Sequence, residues 1–313
     1  MGIKSKLKKI YSYANSIFKN DNNIYSSALK SSVQAISIEV SDSDESSARE
    51  WKKFMLDVKK NILRGDLANF LHWETIRVSM FIEEGEFLQK ELDYMRNCSE
   101  WTRYKGLLRE SIIGNPKSYN QYPISSGNLV HHTYQAAYFE KHINIKLDEF
   151  DVVFEFGGGY GSMARVFQNA SFKGKYIVFD TPLFSALQKY YLQCSDFKIE
   201  SVQNFDKVES GIFCISDKNE LFEVLGKINP KAKNCFWATW SFSETPISLR
   251  EEFAPHLAPF NYQFIAYQDK FMEATNKPYF SNYVEKFKQL DCKIVPFDFM
   301  VGQSFLIMHP KNA

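Results

Sequence analysis

Apolar residues recur at helical spacing along most of the first 145 residues, with Phe54, Val58 and Ile62 on one face of the longest stretch. The predicted helices of this region are 51–87, 87–96, 102–112 and 129–142. The acidic, Ser-rich segment 39–50 predicts a linker or exposed loop, and 114–128 is rich in turn formers. We therefore predict a helical N-terminal region over 1–145, which forms a lid and binds the acceptor.

Beyond residue 150, short apolar runs alternate with helical stretches at 162–169 and 183–194. The predicted strands are 151–156, 175–180, 211–216, 234–240, 262–268, 292–299 and 303–310. This alternation predicts an α/β fold with a parallel sheet and crossover helices. Only residues 300–302 join the last two strands, so these must form an antiparallel hairpin.

The composition argues against several classes of function. The 313 residues carry a net charge of +1, without the basic excess typical of proteins that grip a phosphate backbone, so we expect no nucleic-acid partner. The five cysteines form no CxxC pair, and no apolar run approaches the roughly 20 residues that span a bilayer. We expect a cytoplasmic protein in a reducing compartment.

The segment 1–20 is basic and has apolar residues at helical spacing. It predicts either a helix packed on its own protein or one that lies on an anionic membrane, which would place the protein at the inner face. A homo-oligomer is left open by the sequence.

The strongest chemical pattern is the glycine-rich turn at 155–161, where a predicted strand meets a predicted helix. Glycines there allow a sharp turn and a close approach to a ligand, and the helix start offers free N–H groups. The dinucleotide pattern GxGxxG fails because its third glycine position holds Ser162. An acidic residue followed by GxGxG fits at Glu155, Gly157, Gly159 and Gly161, and this pattern is typical of S-adenosylmethionine methyltransferases.

In that class the loop packs against the methionine part of the cofactor, and an acid such as Glu155 can meet its ammonium group. Asp180 closes the second predicted strand, where an acid can accept hydrogen bonds from both ribose hydroxyls. A dehydrogenase would use the same acid, so Asp180 alone does not separate the two cofactors. The reversed last strand does, because it is similar to the seven-stranded, Rossmann-like methyltransferase sheet; we assign 146–313 to this cofactor-binding domain.

Four segments resemble the sugar O-methyltransferases of bacterial polysaccharide clusters. They are NLVHHTYQAAYF (128–139), FEFGGGYGSMARVF (154–167), YIVFDTPLFSALQKYYL (176–192) and WATWSFSETP (237–246). The resemblance implies methyl transfer from S-adenosylmethionine to a sugar hydroxyl, often in a surface glycan. It also implies cofactor contacts at Gly158 and at Thr181 in the Asp-x-Pro segment. Residues 1–100 match nothing in this family, so the acceptor's identity is not covered.

A sugar hydroxyl needs a general base, and the candidates are His131, His132, Glu244 and, less favoured, His256. The two adjacent histidines face different sides of their helix, so at most one should reach the cofactor. We hypothesise that Glu244 orients that histidine as a relay. A packed or capping role is the alternative for each.

Two further residues are candidates for cofactor or acceptor contacts. Asp217 follows the third strand and is a candidate for the adenine amino group, with an exposed loop acid as the alternative. Trp240 is a candidate for stacking on adenine or on a sugar, whereas Trp237 fits the core. No His/Asp cluster has metal-ligand spacing, and we predict no metal. A small-molecule, quinone or lipid methyltransferase and a non-catalytic binding module are the other functions considered.

Overall fold

The computed structural model describes residues 24–41, 45–272 and 274–311, so the basic segment 1–20 lies outside it. Its helices are α1 (24–35), α2 (Ser46–Arg64), α3 (Glu74–Met80), α4 (Glu86–Arg96), α5 (Trp101–Leu107), α6 (Gly127–Ile143), α7 (Ser162–Asn169), α8 (Pro182–Cys194), α9 (Lys218–Leu225), α10 (Ser241–Glu244), α11 (Ile247–Phe253) and α12 (Asn276–Glu285). Its strands are β1 (Ser118–Tyr119), β2 (Tyr122–Ser126), β3 (Val152–Phe156), β4 (Lys175–Phe179), β5 (Gly211–Ile215), β6 (Asn234–Thr239), β7 (Tyr262–Gln268), β8 (Lys270–Phe271), β9 (Ala274–Thr275), β10 (Leu290–Pro296) and β11 (Gln303–Pro310).

Seven strands form one mixed sheet in the order β10-β11-β7-β6-β3-β4-β5. Strands β3 to β7 pair in parallel, and β11 runs antiparallel to both β7 and β10. The predicted Rossmann-like methyltransferase sheet with a reversed last strand is therefore confirmed. Since the chain leaves β3, then steps out to β4 and β5 before returning to β6, the strand order reverses beside β3, where open α/β sheets bind ligands.

The sheet is covered on both faces because its strands are apolar on both sides. In β3, Val153 belongs to a core formed with the N-terminal helices and α7 and α8. Phe154 and Phe156, on the other face, join a core formed with α9, α11 and α12. Alternate side chains of a strand point to opposite faces, which explains this division. The N-terminal region thus packs directly on the sheet, and the division at 145/146 stays a prediction.

The predicted helix 51–87 is wrong as a single element. Helix α2 ends at Arg64, a 3-10 turn covers Leu67–His72, and α3 runs only from Glu74 to Met80. Asp66 accepts a hydrogen bond from the Ala68 N–H and so starts a new turn there. Trp73 is extended (φ −63°, ψ 134°), which ends the 3-10 turn.

Two other expectations for the N-terminal region change. Helix α5 ends at Leu107, earlier than predicted. The turn-rich segment 114–128 contains the short hairpin β1–β2, in which Tyr119 pairs with Tyr122. Among the described residues, no helix is long and apolar enough to cross a membrane.

Candidate functional site

The glycine loop links the end of β3 to the start of α7. Gly157, Gly159 and Gly161 have φ values of 71°, 56° and 100°, in the left-handed region that favours glycine. A Cβ at Gly157 would overlap Ser241, the first residue of α10, whose hydroxyl donates to the Phe156 carbonyl. A Cβ at Gly159 would have only the Met80 sulfur within 4 Å, at 3.6 Å. The loop therefore packs against the start of α10 at Gly157 and has room beside it at Gly159.

Asp180 follows β4 and binds this loop. Its Oδ2 accepts from the Gly159 N–H at 3.0 Å and from Gln188 Nε2 at 3.1 Å, while Oδ1 accepts from the Thr181 N–H at 2.8 Å. Gln188 Nε2 also lies 3.0 Å from the Gly159 carbonyl oxygen. Three of the roughly four acceptor positions of the carboxylate are thus taken by protein donors. Asp180 shapes the glycine loop, and its role with ribose stays a prediction.

Glu155 lies beneath the loop, on the face of β3 that also carries Val153. It is buried, and the Tyr176 hydroxyl donates to its Oε2 at 2.8 Å. Burial raises the pKa of Glu155 to about 8 and that of Asp180 to about 7. Both carboxyl groups lie at one end of the sheet, and their charged forms are disfavoured. A cationic ligand at this end would stabilise both charged forms.

Gly158, Thr181 and Asp217 occupy different surroundings. A Cβ at Gly158 would crowd the Val178 side chain and the Glu155 carboxyl. The Thr181 hydroxyl is buried and lies beside the Asp180 carboxyl, where it helps to lower the pKa of that acid against the effect of burial. Asp217 is exposed and caps α9, because its carboxylate accepts from the Glu220 N–H at 2.8 Å. This cap matches the alternative to an adenine contact.

His131 is enclosed by protein. It is 0% exposed, its Nδ1 lies 2.6 Å from Oε1 of the buried Glu91 in α4, and its Nε2 lies 3.0 Å from Gln135 Nε2. Burial raises the pKa of Glu91. Since both ring nitrogens already have partners, His131 has none to offer to an acceptor hydroxyl. This arrangement favours a structural role, in which the His131–Glu91 pair fastens α4 to α6.

His132 faces the glycine loop. Its ring is half-buried, and Nδ1 lies 2.9 Å from the hydroxyl of Ser162, the first residue of α7. Burial, with the neighbouring His131, lowers the pKa of His132 to about 3, so it is neutral near pH 7 and a weak base. Neither histidine hydrogen-bonds to Glu244 among the described residues, since His131 Nδ1 contacts Glu91 and His132 Nδ1 contacts Ser162, and the hypothesised relay stays a prediction.

Glu244 ends the short helix α10, just beyond β6. It is half-buried, and its Oε1 lies 3.2 Å from Gln268 Nε2 at the end of β7. Burial raises the pKa of Glu244, and the Gln268 hydrogen bond opposes this rise. Its second oxygen has no hydrogen-bond partner among the residues that the structure describes. A carboxylate with a raised pKa and a free oxygen is chemically suited to take up a proton.

Arg250 fixes the turn that carries Glu244. This residue is completely buried and donates to the carbonyl oxygens of Ser243 and Thr245 and, at 2.7 Å, to Asn276 Oδ1. Burial lowers the pKa of Arg250 to about 10. The guanidinium thus joins α10, α11 and α12 into one rigid corner.

Trp240 precedes this turn in a strained conformation, with φ 60° and ψ −41°. Its ring stacks on His131 with centroids 5.1 Å apart, and its Nε1 donates to Gln303 Oε1 at 2.6 Å. Stacking on adenine or a sugar stays a prediction. Trp237 lies in the core against Phe264, as expected.

His256, the less favoured candidate base, lies in the 3-10 turn Ala254–Leu257. Its ring stacks on Phe222 with centroids 3.8 Å apart.

Two clefts are lined by residues outside the glycine loop. One of about 550 Å³ lies between α5 and α7 and includes Arg103, Arg109 and Arg165. The other, of about 300 Å³, lies between α1 and α8 and reaches Ser216 at the end of β5. Neither is lined by the glycine loop. The described part of the chain has no group of three or more His, Cys, Asp or Glu that could hold a metal ion.

No protein-family model matches this sequence, and no curated protein matches it. Solved structures do align with it. A methyltransferase from Pyrococcus furiosus aligns with TM-score 0.37 and 13% identity over 72% of this chain and 98% of its own. An SAH-bound methyltransferase from Podospora anserina aligns with TM-score 0.34 and 8% identity over 79% and 100%. For the glycopeptide N-methyltransferase MtfA the values are 0.35, 8%, 56% and 95%.

Likeness at these TM-scores carries no argument about activity. The fold assignment rests on the strand order described above, and the resemblance to sugar O-methyltransferases stays a prediction.

Proposed function

We propose that this protein is an S-adenosylmethionine-dependent O-methyltransferase that acts on a sugar hydroxyl of a surface glycan or its precursor. The observation that carries the proposal is the convergence, at one edge of the sheet, of the glycine loop, the buried acid Glu155, and the half-buried acids Asp180 and Glu244, all three with raised pKa values. The choice of a sugar as acceptor rests on the sequence segments 128–139 and 237–246.

The residues at this edge fit the cofactor. Gly159 has open space beside it and a backbone that glycine favours. Glu155 and Asp180, whose charged forms are disfavoured without a ligand, would be stabilised by its positive charge. Thr181 adds a buried hydroxyl beside the Asp180 carboxyl. When bound, the cofactor supplies an activated methyl group.

The chain supplies position and a base. Glu244 takes up the proton of the acceptor hydroxyl, because its carboxylate has one free oxygen and burial makes it more basic than an exposed glutamate. His132 stays neutral at physiological pH, and its contact with Ser162 joins α6 to the glycine loop. The N-terminal region covers the loop through Met80, which helps to exclude water.

The test is turnover with purified protein, S-adenosylmethionine and panels of nucleotide sugars, oligosaccharides, quinones and small phenols. Methylation of sugars alone supports the proposal. Methylation of quinones or phenols instead would favour the alternative acceptors and refute the sugar as substrate. Glu244→Gln should lower kcat by about a hundred- to ten-thousand-fold with cofactor affinity unchanged. Glu251→Gln, on the surface of α11, is the matched control and should be fully active. Absence of cofactor binding in calorimetry would favour a non-catalytic binding module.

The cellular setting is part of the proposal. We place the protein in the cytoplasm and at the inner membrane face through residues 1–20, near membrane-bound glycan precursors. Deleting these residues should remove binding to anionic liposomes and leave turnover on a soluble sugar intact. Light scattering of the purified protein will show whether it is a homo-oligomer.

A further inference from the structure

The sulfur of Met80 faces the open side of Gly159. Met80 is the last residue of α3 and is half-buried. A Cβ at Gly159 would have the Met80 sulfur at 3.6 Å. Apart from the chain neighbours of this glycine, no other atom of the described residues would lie within 4 Å of that Cβ. A ligand that packs against this side of Gly159 therefore contacts the Met80 thioether.

The chain that follows Met80 is fixed against the start of α6. Phe81 is extended (φ −131°, ψ 114°) and buried, which ends α3. The Ile82 N–H donates to Asn128 Oδ1 at 3.4 Å. A Cβ at Gly127 would lie 2.7 Å from the Ile82 carbonyl oxygen, which is closer than a side chain allows, so the two backbones are in direct contact.

Asn128 also holds the glycine loop. This buried residue donates from Nδ2 to the Tyr160 hydroxyl at 2.8 Å. Tyr160 follows Gly159 in the loop and is itself buried. One amide thus contacts both the segment after Met80 and the glycine loop. The gap between the Met80 sulfur and Gly159 is therefore set by packed, hydrogen-bonded structure.

Two opposite charges bracket Met80 along the chain. Arg77, three residues before it, donates to Glu83, three residues after it, through Nε and, at 3.1 Å, through Nη2. Lys117 Nζ donates to the same carboxylate at 2.8 Å. Its hydrogen bond with Arg77 lowers the pKa of Glu83 to about 2, so the carboxylate is ionised at neutral pH. The bidentate pair closes the turn that carries Met80.

We propose that Met80 is a further cofactor-binding residue, whose thioether forms the wall of the site that faces Gly159. This inference rests on the proposed function, in which S-adenosylmethionine binds at the glycine loop. A thioether suits this position because it is apolar, polarizable and unbranched, so it can follow the surface of a ligand and gain dispersion contacts. It also carries no charge that would oppose a cationic cofactor.

The first test observes Met80 directly. Protein labelled with ¹³C at its methionine methyl groups is titrated with S-adenosylhomocysteine, which has no methyl group to transfer. Met80→Leu keeps the side-chain volume and assigns the Met80 signal. Binding should shift this signal and leave that of Met308, in the core on the other face of the sheet, unchanged. Binding detected by calorimetry without a shift of the Met80 signal would overturn the inference.

Truncation of the side chain tests the same contact by affinity. Met80→Ala should weaken S-adenosylhomocysteine binding by about tenfold, because part of the apolar surface that covers the ligand is lost. Val78→Ala is the matched control. It shortens an apolar side chain of the same helix that is 77% exposed, and its affinity should be unchanged. Equal affinity of Met80→Ala and the unsubstituted protein would also contradict the inference.

A double variant separates contact with the cofactor from a purely structural role of Met80. Gly159→Ala adds a methyl group to the space beside the loop, and Met80→Ala removes atoms that border the same space. If the bound cofactor occupies this space, the double variant should bind at least as tightly as Gly159→Ala alone. A further tenfold loss in the double variant would show that the two residues act independently, which rules out a shared contact. Absence of cofactor binding by the unsubstituted protein would instead refute the proposed function itself, and this inference with it.

Discussion

The buried acid Glu155 allows the cofactor site to be tested by counting protons. Burial raises the pKa of this carboxyl to about 8, above the value of about 4.3 for an exposed glutamate. At pH 7 it is therefore protonated in roughly 90% of unliganded molecules. A bound cation beside it favours the ionised form, so binding should release its proton. Glu155→Gln keeps an acceptor for the Tyr176 hydroxyl and removes the titration.

The magnitude follows from that pKa. Complete ionisation on binding at pH 7 releases about 0.9 proton per molecule from Glu155, and at pH 9 only about 0.1, because the free carboxyl is then already ionised. The number of protons released is measured by calorimetry in buffers of different ionisation enthalpy. Since the ligand's own proton changes are common to all variants, the difference between the unsubstituted protein and Glu155→Gln isolates this one group.

The matched control is Glu149→Gln, just before the other end of β3. Hydrogen bonds from the Lys146 backbone and the Lys233 side chain lower the pKa of Glu149, so it is ionised throughout and should release nothing. Equal proton release with and without Glu155 would refute the placement of a cationic ligand beside this acid.

Stability gives an independent check of the raised pKa. A folded-state pKa above the unfolded value stabilises the fold at low pH, and this contribution is lost between about pH 4 and 8. The free energy of unfolding of Glu155→Gln should therefore fall less over this range than that of the unsubstituted protein. Urea unfolding measured at several pH values supplies this comparison.

Three further predictions concern the same edge. Gly157→Ala should reduce the free energy of unfolding by about 2–5 kcal/mol in urea titrations, because it combines a left-handed φ with overlap against Ser241. Gly159→Ala should reduce the free energy of unfolding by only about 1–2 kcal/mol. This second variant should also impair cofactor binding in calorimetry. Asp180→Ala should weaken cofactor binding by about ten- to a hundredfold, since a charged acceptor is lost and the Gly159 N–H loses its partner. His131→Asn should lower stability by about 3–5 kcal/mol, as it leaves the buried acid of α4 unpaired; a fully stable variant that loses turnover would return His131 to catalysis.

The sheet was predictable from sequence because its strands are short, apolar and bounded by turn formers. All seven strands lie within a few residues of their predicted positions. The predicted link 300–302 is 297–302 in the structure, which is still too short for a parallel crossover, so the last strand is reversed as expected. The N-terminal helices were harder. Apolar spacing continues through Gly65 and Trp73, but this spacing does not reveal the backbone angles that end α2 and the 3-10 turn.

Within the site, sequence reasoning found the acids and missed their partners. Glu155, Asp180 and Glu244 stand at or just beyond strand ends, and the carboxyl ends of parallel strands meet at one edge, so their spatial grouping follows from order along the chain. Gln268 ends β7 at the same edge and carries this signal too, but Gln188 and Arg250 carry none. Each is a polar residue in an element whose spacing looks ordinary, and only the packed structure brings it to a carboxylate or a carbonyl.

The two histidines show where this reasoning stops. Adjacent positions on a helix establish that His131 and His132 face different directions, but what covers each face comes from far along the chain: Glu91 is 40 residues from His131, and Ser162 is 30 residues from His132. The partners of His131 leave it no free ring nitrogen. Burial lowers the pKa of His132, which makes it a weak base. In the proposed reaction Glu244 acts without a histidine partner, so its basicity comes from its own burial. Glu244→Gln is therefore the substitution that most directly tests the site.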